Sequence, residues 1–136
     1  MKSGLKLLTL AAVSIALLSW NNSSAQEKAI NWKLVSKNLV RSLASENDGL
    51  RQSAMDFFVK HSDKLDINDA VYSVMNVYRN HDDLRMRKLA LVTLYKMQNK
   101  WAMEFLKVDL RFQDSQELKR MVAAILQEHE GKKKAS

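Results

Sequence analysis

The chain has 136 residues, with 22 basic and 15 acidic side chains and a formal net charge of +7 at pH 7. This length suits one domain with a single modest core. Cysteine is absent, which excludes disulfides, thiol catalysis, thiolate metal sites and lipid attachment through an N-terminal cysteine. Proline is absent too and only three glycines occur, so little in the sequence would interrupt long helices.

The N-terminal segment has the composition of an export signal. Two lysines precede residues 7–20, which carry no charge, and the small residues 23–25 follow. A basic start, an apolar run and a small-residue site are the three parts of a secretory signal peptide, here residues 1–25. We predict cleavage between Ala25 and Gln26. The alternative is an uncleaved membrane anchor, but the apolar run is short against the ~20 residues that a spanning helix needs.

Export without cysteine favours a bacterial periplasmic or secreted protein whose core alone supplies its stability. The mature domain should cover residues 26–131, followed by a basic disordered tail at 132–136. Leaving out the two signal lysines and the three tail lysines gives 17 basic against 15 acidic residues, or +2. The high net charge therefore comes from the chain ends and does not predict nucleic-acid binding.

The first half of the mature chain predicts three helices, because apolar residues recur at spacings of three and four. Helix one runs from about residue 30 to 44. Asp48 is the expected N-cap of helix two, residues 49–61, and helix three starts after Asp66. The predicted inner faces carry Trp32, Val35, Leu39 and Leu43, then Leu50, Ala54, Phe57 and Phe58, then Val71, Val74, Met75 and Tyr78.

The second half predicts three more helices. Residues 80–83 form a turn before helix four, and residues 98–99 separate it from helix five. Residues 113–115 cap helix six, which should end near Glu130 before Gly131. The inner faces carry Met86, Ala90, Leu94 and Met97, then Trp101, Ala102, Phe105 and Phe112, then Leu118, Val122, Ile125 and Leu126. No segment alternates like a strand, so the predicted class is all-α with six helices.

A short phrase occurs three times at a spacing of 33 to 36 residues. The copies begin at Leu50 (LRQSA), Met86 (MRKLA) and Lys119 (KRMVA), and each opens an amphipathic helix after a polar turn that contains an acid. The third copy fits equally well one residue earlier, on Leu118-Lys119. A period of this size is typical of stacked helical pairs that bury their apolar faces only against neighbours.

The segment from Asp82 to Ala90 (DDLRMRKLA) resembles the core of a HEAT repeat, and the segment from Asp48 to Ala54 has the same shape. The resemblance covers about residues 48–126 and implies a short right-handed α-solenoid of about three helical pairs. It also implies a ladder of acids and arginines between neighbouring repeats, formed by Asp48, Asp83, Asp114, Arg51, Arg87 and Arg120. The tetratricopeptide repeat has a similar period, but its Trp-x-x-Leu-Gly-x-x-Tyr phrase is missing.

No arrangement typical of catalysis or metal binding is visible. The histidines are His61, His81 and His129, and no two share the spacing of three or four that places both on one helix face. The chain also lacks a Gly-x-Ser-x-Gly elbow and a glycine-rich phosphate loop. We therefore expect a non-enzymatic protein without cofactor or metal. Nucleic acid is a disfavoured partner, because no aromatic residues are interleaved with the basic ones.

Basic stripes are the remaining candidates for function. Lys33, Lys37 and Arg41 recur every four residues on the first helix. The basic ridge, as we call the second set, consists of Arg79, Arg85, Arg87, Lys88, Lys119 and Arg120. It could bind an acidic protein or an anionic polymer, or it could be a solvated face and internal ladder, which is the commoner use of such charges.

The eight aromatic residues in the repeats are predicted to be core residues because they recur at helical spacing. They are Phe57, Phe58, Tyr72, Tyr78, Tyr95, Trp101, Phe105 and Phe112. Taken together, the sequence predicts an exported interaction module that holds another envelope or secreted protein through its concave face or its basic ridge. The alternative is an electrostatic binder of anionic envelope polymer. Membrane contact is expected only through an uncleaved signal, and the oligomeric state is not predicted.

Overall fold

The computed structural model describes residues 28–136. Residues 31–136 form one compact unit. Its α-helices are α1 (Trp32–Leu43), α2 (Asp48–Lys60), α3 (Val71–Asn80), α4 (Leu84–Met97), α5 (Lys100–Asp109) and α6 (Gln116–Ala135), with a 3₁₀ turn at Asn68–Ala70 before α3. No strand occurs within residues 28–136, so the predicted all-α class with six helices is confirmed.

In this part of the chain no helix is both long and apolar enough to cross a membrane. Ala25, Gln26 and the predicted signal peptide lie outside the described residues.

Side-chain caps fix where most of the helices begin. At the start of α2, the Oδ1 atom of Asn47 accepts a hydrogen bond from the Leu50 backbone N–H at 2.9 Å. The predicted cap, Asp48, is instead the first residue of the helix. Its carboxylate there interacts favourably with the positive end of the helix dipole and pairs with Arg51 one turn later. Asn47 can cap because it keeps the extended backbone that an N-cap needs.

Most helices pack against the next helix in the chain, and a second set of contacts joins alternate helices. The most extensive contact joins α3 to α4, and α1–α2 and α5–α6 also contact each other. In addition, α4 contacts both α2 and α6. The three helices that open with the repeated phrase therefore lie next to one another in order. The largest fully buried side chains are Tyr78, Phe58, Met55, Ile67, Leu91, Leu94, Met103, Leu106 and Leu118.

The predicted inner faces of α3 and α4 are confirmed, and those of α2 and α5 are wrong in part. In α2, Phe57 is 38 % exposed and Leu50 is 47 % exposed, because the buried stripe runs through Ala54, Met55 and Phe58. In α5 the buried stripe is Ala102, Met103 and Leu106, which leaves Trp101 41 % exposed. Each helix is rotated so that the neighbouring residue, about 100° away, faces inward.

The C-terminal tail also differs from its prediction. Residues 132–135 continue α6 as helix instead of forming a disordered tail. Gly131 lies within the helix and does not end it. It is exposed, and no atom lies near the position that a Cβ would occupy. Lys132 anchors the extension by donating a hydrogen bond to the Tyr95 hydroxyl at 2.7 Å. The three lysines at this end also interact favourably with the negative end of the helix dipole.

Candidate functional site

The helix caps settle the register of the three repeated phrases. Asn47, Asp83 and Ser115 are the N-caps of α2, α4 and α6. Counting four residues on from each cap reaches Arg51, Arg87 and Lys119. The third copy therefore aligns on Leu118-Lys119, which was the second of the two alignments open from sequence. Leu118 and Val122 are both fully buried in this register, whereas Arg120 faces solvent.

The acid–arginine ladder implied by the HEAT resemblance is not formed. Asp48 pairs with Arg51 of its own helix, and Asp83 pairs with Arg85 at 3.0 Å in the same cap turn. Within residues 28–136, neither Asp114 nor Arg120 forms an ion pair. Local pairs of this kind stabilise helix ends and do not connect neighbouring repeats.

Other polar side chains make the connections between the helical pairs α1–α2, α3–α4 and α5–α6. The Nη2 atom of Arg87 on α4 donates to Gln113 Oε1, beyond the end of α5, at 3.3 Å. Its Nε atom donates to the Tyr78 carbonyl oxygen at 2.8 Å, a contact within the α3–α4 pair. Lys88 on α4 forms an ion pair with Glu117 on α6. Both cations belong to the predicted basic ridge, and both are committed to internal contacts.

Tyr78 is the centre of the most buried of these connections. Its side chain is fully buried, its hydroxyl donates to Asp109 Oδ2 at 2.6 Å, and Gln113 Nε2 donates to the hydroxyl oxygen at 2.9 Å. Burial, followed by the hydrogen bond to the Asp109 carboxylate, raises the pKa of Tyr78 well above its usual value. The phenol therefore stays neutral and links α3 to α5.

His81 connects the first helical pair to the second. Its Nδ1 atom accepts a hydrogen bond from the Asp83 backbone N–H at 3.0 Å, so the proton of the neutral ring is on Nε2. Nε2 lies 3.1 Å from Asp48 Oδ2 and donates to it. Hydrogen bonds from Arg51 and then His81 lower the pKa of the Asp48 carboxyl. His81 thus links the turn before α4 to the first residue of α2.

The remaining ridge residues do not form one continuous cationic surface. Arg79 lies over the Phe105 ring, 5.2 Å from its centroid. The side chain of Arg85 is 89 % exposed but paired with Asp83. Arg79 and Arg87 line a cleft of about 250 Å³ whose walls also include Asp109 and Asp114. The acids offset the arginines there, which weakens this cleft as an anion site.

The structure instead reveals an exposed aromatic groove between α3 and α5, of about 240 Å³. Tyr72 is 67 % exposed and Trp101 is 41 % exposed, with their ring centroids 4.7 Å apart. Trp101 in turn lies 5.7 Å from the half-buried ring of Phe105. The prediction that all eight aromatic residues are core residues is therefore wrong for Tyr72, Trp101, Phe57 and Phe112, whereas Phe105 is partly buried against the core.

No group of three or more histidine, cysteine or acidic side chains within residues 28–136 is arranged to hold a metal ion. Comparisons of the chain with protein families, with curated proteins and with solved structures find no match. The arguments for function therefore come from the surface of this fold alone.

Proposed function

We propose that the protein is an exported, non-enzymatic helical repeat module that binds another envelope or secreted protein. The observation that carries the proposal is the aromatic groove formed by Tyr72, Trp101 and Phe105. Exposed aromatic side chains with a polar tip are the groups most enriched at the centres of protein interfaces. They bury a large area on binding at a small cost in side-chain entropy.

The repeat assignment has independent support in the connections between helical pairs. Side-chain hydrogen bonds from one pair to the next join residues 31 positions apart at Asn68–Asn99, 33 apart at Tyr95–Glu128 and 35 apart at Tyr78–Gln113. These separations resemble the period of the repeated phrase. A stack of similar units, each contacting only its neighbours, would produce this pattern. We therefore retain a short HEAT-like solenoid as the proposed architecture.

Anionic polymer binding through the basic ridge is the less favoured function. Arg87 and Lys88 are already engaged inside the domain, and Arg79 lies over an aromatic ring. Arg79, Arg85 and Arg120 are the ridge arginines exposed on the surface, and Arg85 is paired with Asp83. A polymer would need several unpaired cations in a row to gain affinity by counterion release.

The groove makes a specific prediction for partner capture. The double substitution Tyr72→Ser and Trp101→Ser should abolish retention of at least one protein from a bacterial envelope extract, because the apolar contact area is lost. The matched control, Val108→Ser and Phe112→Ser, removes side chains that are 60 % and 73 % exposed outside the groove and should leave retention unchanged.

The same variants are then measured against the purified partner by calorimetry. The groove variant should bind about tenfold or more weakly, the loss that one or two interface hot spots produce. Equal affinities for the wild-type protein, the groove variant and the control would contradict the proposal. Circular dichroism of each variant checks that the helices are retained.

Export makes a second prediction. The protein recovered from the envelope should begin at Gln26, as read by mass spectrometry of its N-terminal peptide. Ala25→Tyr places a bulky side chain where the peptidase requires a small one, so the precursor should accumulate. Gln26→Glu, on the other side of the bond, is the control and should be processed normally. A wild-type protein that retains residues 1–25 would refute cleavage and leave the membrane-anchor alternative.

A further inference from the structure

A second groove borders α1, away from the aromatic groove, and has a volume of about 570 Å³. It lies between α1 and the connection that leads into α3. The Ser36 hydroxyl joins the two walls by accepting a hydrogen bond from the Asp66 backbone N–H at 3.1 Å. The lining side chains are Trp32, Lys33, Ser36, Lys37, Val40, Lys64, Asp66 and Asp69.

Two unpaired cations, Lys33 and Lys37, line the α1 side of this groove, and Arg41 follows one turn later on the same helix. Lys33, Lys37 and Arg41 are exposed at intervals of four residues, and α1 contains no acidic residue. None of the three forms an ion pair with any residue of 28–136. They differ in this from Arg87 and Lys88 of the basic ridge, whose partners lie inside the domain.

The opposite wall of the groove carries one more cation, Lys64, and two carboxylates that only partly offset the positive charge of the lysines. The Lys64 ammonium lies 5.1 Å from the centroid of the Trp32 ring, which places it at the groove. Asp66 Oδ1 accepts two hydrogen bonds at 3.0 Å, from the backbone and side chain of Asn68, so this carboxylate is committed to its own turn. Asp66 still carries its negative charge, so three lysines face two carboxylates, Asp66 and Asp69, and the lining has a net charge of +1.

Apolar surface accompanies the cations. Trp32 is half-buried and forms part of the groove, where its ring also contacts His61 at a centroid distance of 5.6 Å. Val40 lies farther along the groove, whereas Leu34, which is 54 % exposed, is not one of the lining residues. A ligand that fits this surface needs acidic groups next to apolar ones.

We infer that this groove binds an acidic amphipathic helix of another protein, lying along α1. An α-helix rises about 6 Å over four residues, so acids repeated every four positions would match the lysines and Arg41 in pitch. The same helix can place apolar residues beside those acids on one face, against Trp32 and Val40. An extended peptide turns alternate side chains away from the groove and cannot present both stripes.

Charge and shape favour this occupant over an anionic polymer. A polyanion without apolar groups would engage the cations but leave the Trp32 ring uncovered. The site is separate from the aromatic groove, so it can be present whether or not the proposed partner binds there.

A synthetic peptide tests the inference with the full chain. The probe has glutamates at every fourth position beside a leucine stripe, and calorimetry should detect binding that weakens as salt is raised. Lys33→Glu with Lys37→Glu should weaken it about tenfold, since two attractive contacts become repulsive. Arg111→Glu with Lys133→Glu makes the same change in net charge at exposed positions elsewhere and should alter affinity by about twofold at most.

Matched probes separate the alternatives. A peptide with glutamine for glutamate, and one with a central proline that breaks the helix, should both bind weakly. In NMR spectra the indole N–H signal of Trp32 should shift on titration and that of Trp101 should not. Equal loss in both charge variants, undiminished binding of the proline peptide, or displacement of the peptide by polyphosphate with no shift at Trp32 would overturn the assignment.

Discussion

Replacing Phe58 by alanine should lower the free energy of unfolding by about 3–5 kcal/mol, the cost of removing a large aromatic ring from a close-packed core. Phe58 is 2 % exposed and belongs to the buried stripe of α2. That stripe contacts α1 on one side and α4 on the other. The cavity would therefore loosen two interfaces together.

Phe57 provides the control, because it is the same residue type one position earlier on the same helix. It is 38 % exposed and contacts mainly the His61 ring, at a centroid distance of 4.6 Å. Phe57→Ala should cost about 1–2 kcal/mol. Urea unfolding followed by circular dichroism measures both variants. If Phe57→Ala proved as destabilising as Phe58→Ala, the orientation of α2 described above would be incorrect.

Tyr78→Phe is the second large effect that we expect. The substitution keeps the ring but removes the hydroxyl that joins Asp109 and Gln113 across α3 and α5. A hydrogen bond to a charged acceptor typically contributes about 1.5–3 kcal/mol, and the part-buried carboxylate would lose its short contact. Thermal unfolding at neutral pH should therefore show a lower midpoint for the variant.

The pH dependence of the free energy of unfolding measures the contribution of the neutral Tyr78 phenol separately. In the unfolded chain a tyrosine ionises near pH 10, whereas burial and Asp109 raise the pKa of Tyr78 in the folded protein. The neutral phenol's contribution is complete below pH 10 and is lost as the pH rises above it, by at most about 1.4 kcal/mol per pH unit. Tyr78→Phe should lack this component of alkaline destabilisation. Parallel stability curves above pH 10 for the two proteins would contradict the assignment.

The inner face predicted for α4 is confirmed, since Met86, Ala90, Leu94 and Met97 are all buried, with Leu91 as a further buried residue beside them. In α2 the adjacent Phe57 and Phe58 allowed two overlapping stripes, and periodicity cannot say which faces inward. Packing against α1 and α4 decides that orientation, and this information is not local to the helix.

The candidate sites were harder to predict for a similar reason. Charge spacing placed Lys33 and Lys37 on one face of α1, and the structure agrees. It could not show that Arg87 would turn towards the Tyr78 carbonyl oxygen, or that Lys64 would approach Trp32 from the next connection. Tyr72 and Trp101 come from different helices, so their contact was likewise invisible to helical periodicity.

The connections between helical pairs have a consequence for how the molecule assembles. The last helix, α6, rests chiefly on α4 and α5, and the most distant side-chain hydrogen bond spans 37 residues, from Lys132 to Tyr95. The N-terminal helical pairs can therefore fold while the C-terminal residues are still being synthesised. Each folded pair then presents the surface against which the next pair packs. Either end can open first: α6 can detach and expose one flank of α4 while α1 and α2 remain folded, and α1 can detach from α2 while α4 to α6 remain folded.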